Sequence, residues 1–254
     1  MPRFAQTLLA TALAAAAFAG HAATVKIAFD NPIFNGTPSP GYDAVNISFP
    51  AAGGTGSQTL GVAAGRFQGT ASDLVGITAD RFVDNLADVW MYCYDVYETI
   101  GNGSVVTYTV NFDGATDRTL AFLGAVNAVR NAGSPTPDRN AWLHPTTAYE
   151  AAAIQIGIWE SLYDSSGWDL NAGAFRASQL EAPTASALAS YFAAVGQAPA
   201  LERRYTMVLE ARGAQDMLTG DPPGAVPEPG TLTLLLAPLA LIAYGRRTRG
   251  AARG

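Results

Sequence analysis

Cysteine and histidine are nearly absent from this chain of 254 residues, which contains one Cys and two His. Because Cys93 is alone, no disulfide can form within the chain. Cys93 and His144, the only histidine after residue 22, are too few ligands for a zinc site. The sequence also lacks a Gly-rich phosphate loop between a strand and a helix, and it has no repeat of fixed period. We therefore expect no metal and no other cofactor, and neither a solenoid nor a propeller.

Charged residues are also scarce, and basic residues are the scarcer kind. The whole chain has 15 Lys+Arg and 21 Asp+Glu. Setting aside the two end segments described below removes five arginines and one glutamate, which leaves 10 basic against 20 acidic residues and a net charge of −10. A domain this acidic repels phosphate backbones, so we expect no nucleic-acid partner.

The first 22 residues have the pattern of a secretory signal peptide. Arg3 precedes an apolar, alanine-rich run from Leu8 to Ala19, and small residues follow at Gly20 and Ala22. This run is too short to span a bilayer, and it predicts cleavage after Ala22 or Ala23. The pattern indicates export, with residues 23–221 as an extracellular domain.

The end of the chain has three parts in sequence. Residues 222–229 form a linker with a Pro-Glu-Pro motif, and residues 230–254 begin apolar and end rich in arginine. An apolar run before a basic cluster predicts a short membrane segment whose basic end stays in the cytoplasm, although Pro238 interrupts it. The residues that define the motif and the basic cluster are Pro227, Glu228, Pro229, Arg246, Arg247 and Arg249.

This tail resembles the PEP-CTERM sorting signal of Gram-negative bacteria. The resemblance implies that an exosortase-type enzyme recognises and processes the tail during export, after a transient insertion into the inner membrane. It also implies a final place on the outer surface or in an extracellular matrix, often in biofilm-forming cells that make exopolysaccharide.

The central domain predicts an α+β fold, with a β-rich sandwich-like or barrel-like subdomain and a helical subdomain. Alternating apolar residues predict strands at Thr24–Phe29, Val45–Phe49, Val89–Ile100, Ser104–Phe112 and Tyr205–Glu210. The third and fourth of these should form a hairpin through Gly101–Gly103. Helices are predicted at Arg118–Arg130, Ala148–Asp164 and Ala185–Val195. Residues 51–56 and 61–65, rich in Gly and Ala, predict surface loops, and Trp168–Asn171 predicts an extended segment.

The predicted helix Ala148–Asp164 is the most amphipathic. Thr146 or Thr147 is predicted to cap it, with Glu150 three residues after Thr147 as in a capping box. Gln155 lies in the middle of its apolar face, where a leucine is expected. A buried carboxamide without partners costs about 1–3 kcal/mol, so Gln155 must be hydrogen-bonded or used chemically. The residues predicted to face solvent are Glu150, Gly157, Glu160, Ser161 and Asp164.

An unpaired cysteine and a buried glutamine can explain each other. Cys93 lies on a predicted central strand, between Tyr92 and Tyr94 and on the same face as Asp95. A thiol held against a glutamine carboxamide in the absence of water can displace ammonia and form an internal thioester. Such a bond is an electrophile for amines and hydroxyls.

At these residues the chain resembles the thioester domains of bacterial surface adhesins. The similarity is carried by Tyr92-Cys93-Tyr94 and by Ile154-Gln155-Ile156-Gly157-Ile158-Trp159. It implies a Cys93–Gln155 crosslink with Tyr92, Tyr94 and Trp159 around it, in a non-enzymatic protein that attaches covalently to a surface or matrix target.

Two other interpretations stay open at this point. In one, the protein is a non-covalent structural or exopolysaccharide-associated protein, with Cys93 as a small buried hydrophobe and Gln155 simply hydrogen-bonded. In the other, Cys93 and His144 belong to a cysteine enzyme, which is disfavoured because catalytic cysteines usually lie at helix starts. The domain's one lysine, Lys26, fits an amine-reactive protein, but a GC-rich genome explains it as well.

Overall fold

The computed structural model describes residues 22–222, which form a mixed α+β fold around a closed barrel. The signal peptide, most of the linker and the sorting tail lie outside the described residues. Within them, none of the helices has the length and apolar run needed to cross a bilayer. Nor do they place three or more His, Cys, Asp or Glu together in a way that could hold a metal ion.

Nine strands form two antiparallel sheets. The strands are β1 (Thr24–Phe34), β2 (Tyr42–Pro50), β3 (Ser57–Gly65), β4 (Phe67–Val75), β5 (Val89–Cys93), β6 (Val105–Asn111), β7 (Arg176–Ser178), β8 (Thr206–Glu210) and β9 (Met217–Gly220). The barrel has the order β1-β4-β5-β9-β8-β6, and the second sheet has the order β3-β2-β7. All the pairings are antiparallel.

Three α-helices complete the fold: α1 (Asp117–Arg130), α2 (Ala148–Tyr163) and α3 (Ala182–Ala194). Helix α2 contacts α1 and α3 on one side and strands β2 and β3 on the other. It is therefore enclosed by the other helices and the small sheet, and its residues 151–161 are all buried. The predicted α+β class and the three helices are confirmed.

The predicted hairpin was wrong. Strand β5 ends at Cys93 and pairs with β4 and β9, whereas β6 pairs with β1 and β8. The chain turns at Asp95 because its Oδ1 accepts hydrogen bonds from the backbone N–H groups of Tyr97 and Glu98, at 3.0 and 3.1 Å. A side chain that bonds to the backbone two and three residues on competes with strand pairing.

Two other local predictions were also wrong. Residues 61–65 belong to β3, which pairs with β2 in continuous register, so their small side chains fill a sheet and not a loop. Gly65 is needed there, since a Cβ atom would lie 2.9 Å from Cδ1 of Phe34. The segment predicted as extended, residues 168–171, ends in a turn at residues 170–171, and the short strands β7 and β9 were not predicted.

The middle of the predicted solvent face of α2 is buried by α1, and Asp164 at its end is buried against residues 173–175. Glu160 and Ser161 are 0% and 3% exposed, and Gly157 lies against the ring of Phe122 from α1. The hydroxyl groups of Ser161 and Thr119 are 2.8 Å apart. The sequence of α2 showed which residues were apolar, but it could not show that a second helix packs over the polar ones.

Candidate functional site

Cys93 and Gln155 meet at the junction between the barrel and helix α2. Cys93 is the last residue of β5, which is paired on both sides, and Gln155 lies halfway along α2. Both residues are 0% exposed. The N-cap of α2 is Thr147, whose side chain accepts a hydrogen bond from Glu150 N–H, and the Glu150 carboxylate accepts one from Thr146 N–H at 2.7 Å.

The carboxamide of Gln155 is bonded on both of its ends to the main chain of Cys93. The Cys93 N–H donates to Gln155 Oε1 at 2.8 Å, and Gln155 Nε2 donates to the Cys93 carbonyl oxygen at 2.9 Å. The amide therefore lies against the backbone of the same residue that carries the thiol. The hydrogen bond to Oε1 also polarises the carbonyl group in the direction that favours attack on its carbon.

The thiol itself is neutral in this arrangement. It donates to the carbonyl oxygen of Asp95 at 2.8 Å. Burial raises the pKa of the Cys93 thiol well above its ordinary value, and the nearby Asp95 carboxylate adds to the rise, while the hydrogen bond to the Asp95 carbonyl opposes it. A buried neutral thiol is protected from oxidation, because the thiolate is the reactive form.

Asp95 stabilises the turn that follows Cys93. Besides its bonds to Tyr97 and Glu98, its carboxylate accepts a hydrogen bond from the N–H of Asp216. Burial raises the pKa of Asp95, and these hydrogen bonds act against the rise. Asp95 was predicted to share a strand face with Cys93; it lies beyond the strand, and its carbonyl oxygen receives the thiol hydrogen.

The two tyrosines beside Cys93 hold its strand in place against the helical layer. The Tyr92 hydroxyl donates to the Trp142 carbonyl oxygen at 3.2 Å. The Tyr94 hydroxyl accepts from Thr116 N–H at 2.8 Å, at the start of α1. Both tyrosines are buried. They anchor β5 to the helical layer, and so they fix the position of Cys93 relative to α2.

Trp159 follows Gln155 by one helical turn and lies beside the thiol. It is 3% exposed, and its proximity partly offsets the rise in the pKa of Cys93. Within residues 22–222 its indole N–H makes no hydrogen bond of standard geometry. Trp159 and Cys93 both line a cleft of about 250 Å³. This cleft, which no sequence pattern indicated, reaches Cys93 but is not lined by Gln155.

His144 takes no part in the contacts of Cys93 or Gln155 among the described residues. Its Nε2 lies 3.0 Å from an oxygen of Asp84, and its Nδ1 lies 3.4 Å from Asp138. Lys26 is on β1, where its ammonium group pairs with Asp73. The structure thus brings together Cys93, Gln155, Tyr92, Tyr94 and Trp159, and it places His144 in a separate polar cluster with Asp84 and Asp138.

Comparison of the chain with protein-family models, curated proteins and solved structures finds no match.

Proposed function

We propose that this is an exported bacterial surface or matrix protein whose Cys93–Gln155 thioester attaches it covalently to a target. The observation that carries the proposal is the pair of hydrogen bonds between the Gln155 carboxamide and the Cys93 main chain. A nucleophile and an acyl group held together on two rigid elements have a large effective concentration.

The bond would form by acyl transfer within the protein. The Cys93 sulfur attacks Cδ of Gln155, the C–S bond forms and the C–N bond breaks. The thiol proton leaves with the amide nitrogen as ammonia. The Cys93 N–H is already 2.8 Å from Oε1, where negative charge develops in the tetrahedral intermediate.

A thioester at this position would be long-lived until a target arrives. Both partners are fully buried, so bulk water has little access to the carbonyl carbon. When an amine or hydroxyl of the target attacks that carbon, a C–N or C–O bond forms and the C–S bond breaks. The departing sulfur takes the proton of the nucleophile, and its high pKa in this site favours the neutral thiol product.

The two ends of the sequence support an extracellular role. The signal peptide and the PEP-CTERM-like tail would direct export, with an exosortase-type processing enzyme as the transient partner. The final location would be the outer surface or the extracellular matrix of a Gram-negative bacterium. In this proposal the protein turns over no substrate, since each molecule reacts once.

A non-covalent structural role is the second candidate, and one observation favours it. Both hydrogen-bonding ends of the Gln155 amide are satisfied by Cys93, so the glutamine could serve only to join α2 to the barrel. The two candidates differ in whether ammonia has been lost.

Methylamine labelling separates the two candidates. The folded protein is incubated with methylamine, digested and mapped by mass spectrometry, beside Cys93→Ala and beside His144→Ala. The thioester predicts a methylamide at Gln155 and a newly alkylatable thiol at Cys93, absent from Cys93→Ala and unchanged in His144→Ala. An unlabelled Gln155 in a folded sample would leave the structural role.

A further inference from the structure

The cleft beside Cys93 extends to the edge strand of the small sheet. Four consecutive residues of β3, Leu60–Ala63, line it together with Cys93 and Trp159. Ile47 of β2, the partner of Leu60, lines it too, so the cleft lies over one face of the small sheet and ends at β3, an edge strand of that sheet. A strand added beside β3 would place its side chains on that face next to the cleft.

That edge has no partner among the described residues. Strand β3 pairs with β2 on one side only, and residues 57–65 make no other backbone hydrogen bond in residues 22–222. The opposite edge of the same sheet is formed by β7, which is only three residues long and carries Arg176. The two edges of one sheet thus differ greatly in the length of backbone they offer.

Strand β3 also lacks the features that protect exposed edges. Its nine residues, Ser-Gln-Thr-Leu-Gly-Val-Ala-Ala-Gly, contain no charge and no proline, and its register with β2 has no bulge. Residues 57–61 are exposed, including Leu60 at 43%. Natural sheets usually block such an edge with Lys, Pro or a bulge, because an unprotected edge accepts a further strand.

The chemistry of the cleft indicates what that strand would carry. The other lining residues are mostly apolar, and Glu98 is the one carboxylate among them. An apolar passage with an acidic group suits a side chain made of methylenes that ends in an ammonium group. A second copy of β3 would bring no such amine, since residues 57–65 contain no lysine.

We infer that an extended segment of a partner polypeptide adds to the free edge of β3 and directs a lysine side chain through the cleft to the Cys93–Gln155 bond. Main-chain pairing with β3 supplies affinity, and the cleft selects the side chain. The inference rests on the proposed thioester. Capture is then an aminolysis: the lysine nitrogen bonds to Cδ of Gln155, the C–S bond breaks, and the amine proton passes to the Cys93 sulfur.

The test compares the rates at which three lysine probes form adducts with the exported protein, followed by intact mass. The first probe is the peptide acetyl-Thr-Val-Thr-Lys-Thr-Val-Thr-amide, and the second has proline in place of both valines. The third is acetyl-lysine methylamide, which has no strand to add. We expect the first peptide to react at least about tenfold faster than the other two, because docking raises the local amine concentration.

Two matched variants locate the effect on the edge. Leu60→Glu places a charge on the free edge of β3 and should remove the advantage of the first peptide. Val105→Glu changes another exposed apolar strand residue, 60% exposed on β6, and should keep the advantage. Val105→Glu should react normally with methylamine. Because Leu60 lines the cleft, the peptide rate of Leu60→Glu is divided by the methylamine rate of the same variant, and it is this ratio that should fall.

Several results would overturn the inference. Equal rates for the three probes, with normal methylamine adducts, would reject strand addition and leave the thioester intact. Faster reaction with glucosamine than with any peptide would point to a saccharide target instead. Concentration-dependent dimerisation that Leu60→Glu abolishes would make a second copy the occupant. Absence of any adduct, methylamine included, would reject the proposed function together with the inference.

Discussion

Two buried polar side chains on helix α2, Gln155 and Glu160, have opposite surroundings. Each is 0% exposed. Both polar atoms of the Gln155 amide are hydrogen-bonded to Cys93, whereas neither carboxylate oxygen of Glu160 has a hydrogen-bond partner within residues 22–222. The nearest cation to Glu160 is Arg118, 3.8 Å away. The helix thus carries one polar group that is hydrogen-bonded to the barrel and another whose contact with a cation is long, at 3.8 Å.

The difference shows how a fold deals with a polar group that it buries. Burial, and next the nearby Asp164, raise the pKa of Glu160 to about 8, so its carboxyl group is neutral over much of the physiological range. The carboxamide of Gln155 does not titrate, so its hydrogen-bonding groups are satisfied only when partner atoms lie at the right positions. The pH therefore sets the charge of Glu160, whereas the position of β5 sets the hydrogen bonds of Gln155.

Removing the side chain of Gln155, the residue that is hydrogen-bonded to Cys93, should have the largest effect on stability. Gln155→Ala leaves the N–H of Cys93 without its partner, opens a cavity and removes the proposed crosslink, so we expect a loss of about 3 kcal/mol or more in the free energy of unfolding. Urea denaturation measures it. The control is Gln197→Ala at an exposed position, which should change stability by less than about 0.5 kcal/mol. Equal losses in the two variants would contradict the role given to the paired amide.

A methyl group added at Gly157, between Gln155 and Glu160 on α2, tests whether α1 buries this part of the helix. In Gly157→Ala the new Cβ would overlap the ring of Phe122, which is itself fully buried and stacked on Trp168. We expect a net loss of about 1–3 kcal/mol, although alanine is intrinsically the better helix former. Phe122→Leu combined with Gly157→Ala should recover part of the loss. Thermal unfolding of the single and double variants gives the coupling, and strict additivity would argue against the contact.

Changing Glu160 should alter how the stability of the protein depends on pH. Because the pKa of Glu160 is about 8 in the folded protein and near 4.5 when unfolded, the folded state holds the proton more tightly. Its contribution to stability is complete below about pH 4.5 and is lost as the pH rises through about 8. In Glu160→Gln, melting temperatures should therefore fall less between these two pH values than in the parent protein.

Glu150→Gln is the matched control on the same helix. Burial alone would raise the pKa of Glu150, but hydrogen bonds from Thr146 and the charge of Arg130 bring it below the ordinary value. Its contribution is present above the unfolded pKa and is lost only as the pH falls through the folded pKa. The variant Glu150→Gln should therefore show the same change of melting temperature between about pH 5 and pH 8 as the parent protein. If the melting temperature changed equally with pH in the parent protein and in both variants, the assignment of this pH dependence to Glu160 would be contradicted.

The smallest expected effect is at the start of the helix that carries both groups. Thr147→Ala removes the side-chain acceptor for Glu150 N–H and should cost about 1 kcal/mol, whereas Thr147→Ser should keep most of it. Denaturant midpoints measure both. A loss as large as that of Gln155→Ala would mean that the start of α2, and not its pairing with β5, decides its stability.

Local patterns in the sequence were enough to find the helices and to select the two residues of the site. Gln155 stood out because a carboxamide interrupts an apolar face, and Cys93 stood out because it is the only cysteine. These signals need no knowledge of the fold. The N-cap at Thr147 was predictable for the same reason, since capping depends on residues three positions apart.

Signals that depend on distant parts of the chain were missed. Nothing near Cys93 shows that β5 pairs with β9, which comes more than a hundred residues later. The turn at Asp95 overrode a run of residues that favours strands, and α1 covered the polar side of α2. The free edge of β3 was hidden by its Gly and Ala content, which predicted a loop.

The intact mass of the folded protein, purified at mildly acidic pH with its termini mapped, tests the central claim most directly. The account predicts a mass short of the sequence mass by one ammonia, and a full mass for Cys93→Ala and for Gln155→Ala. A full mass for the unsubstituted protein, with Cys93 present as a thiol in a folded sample, would contradict the thioester.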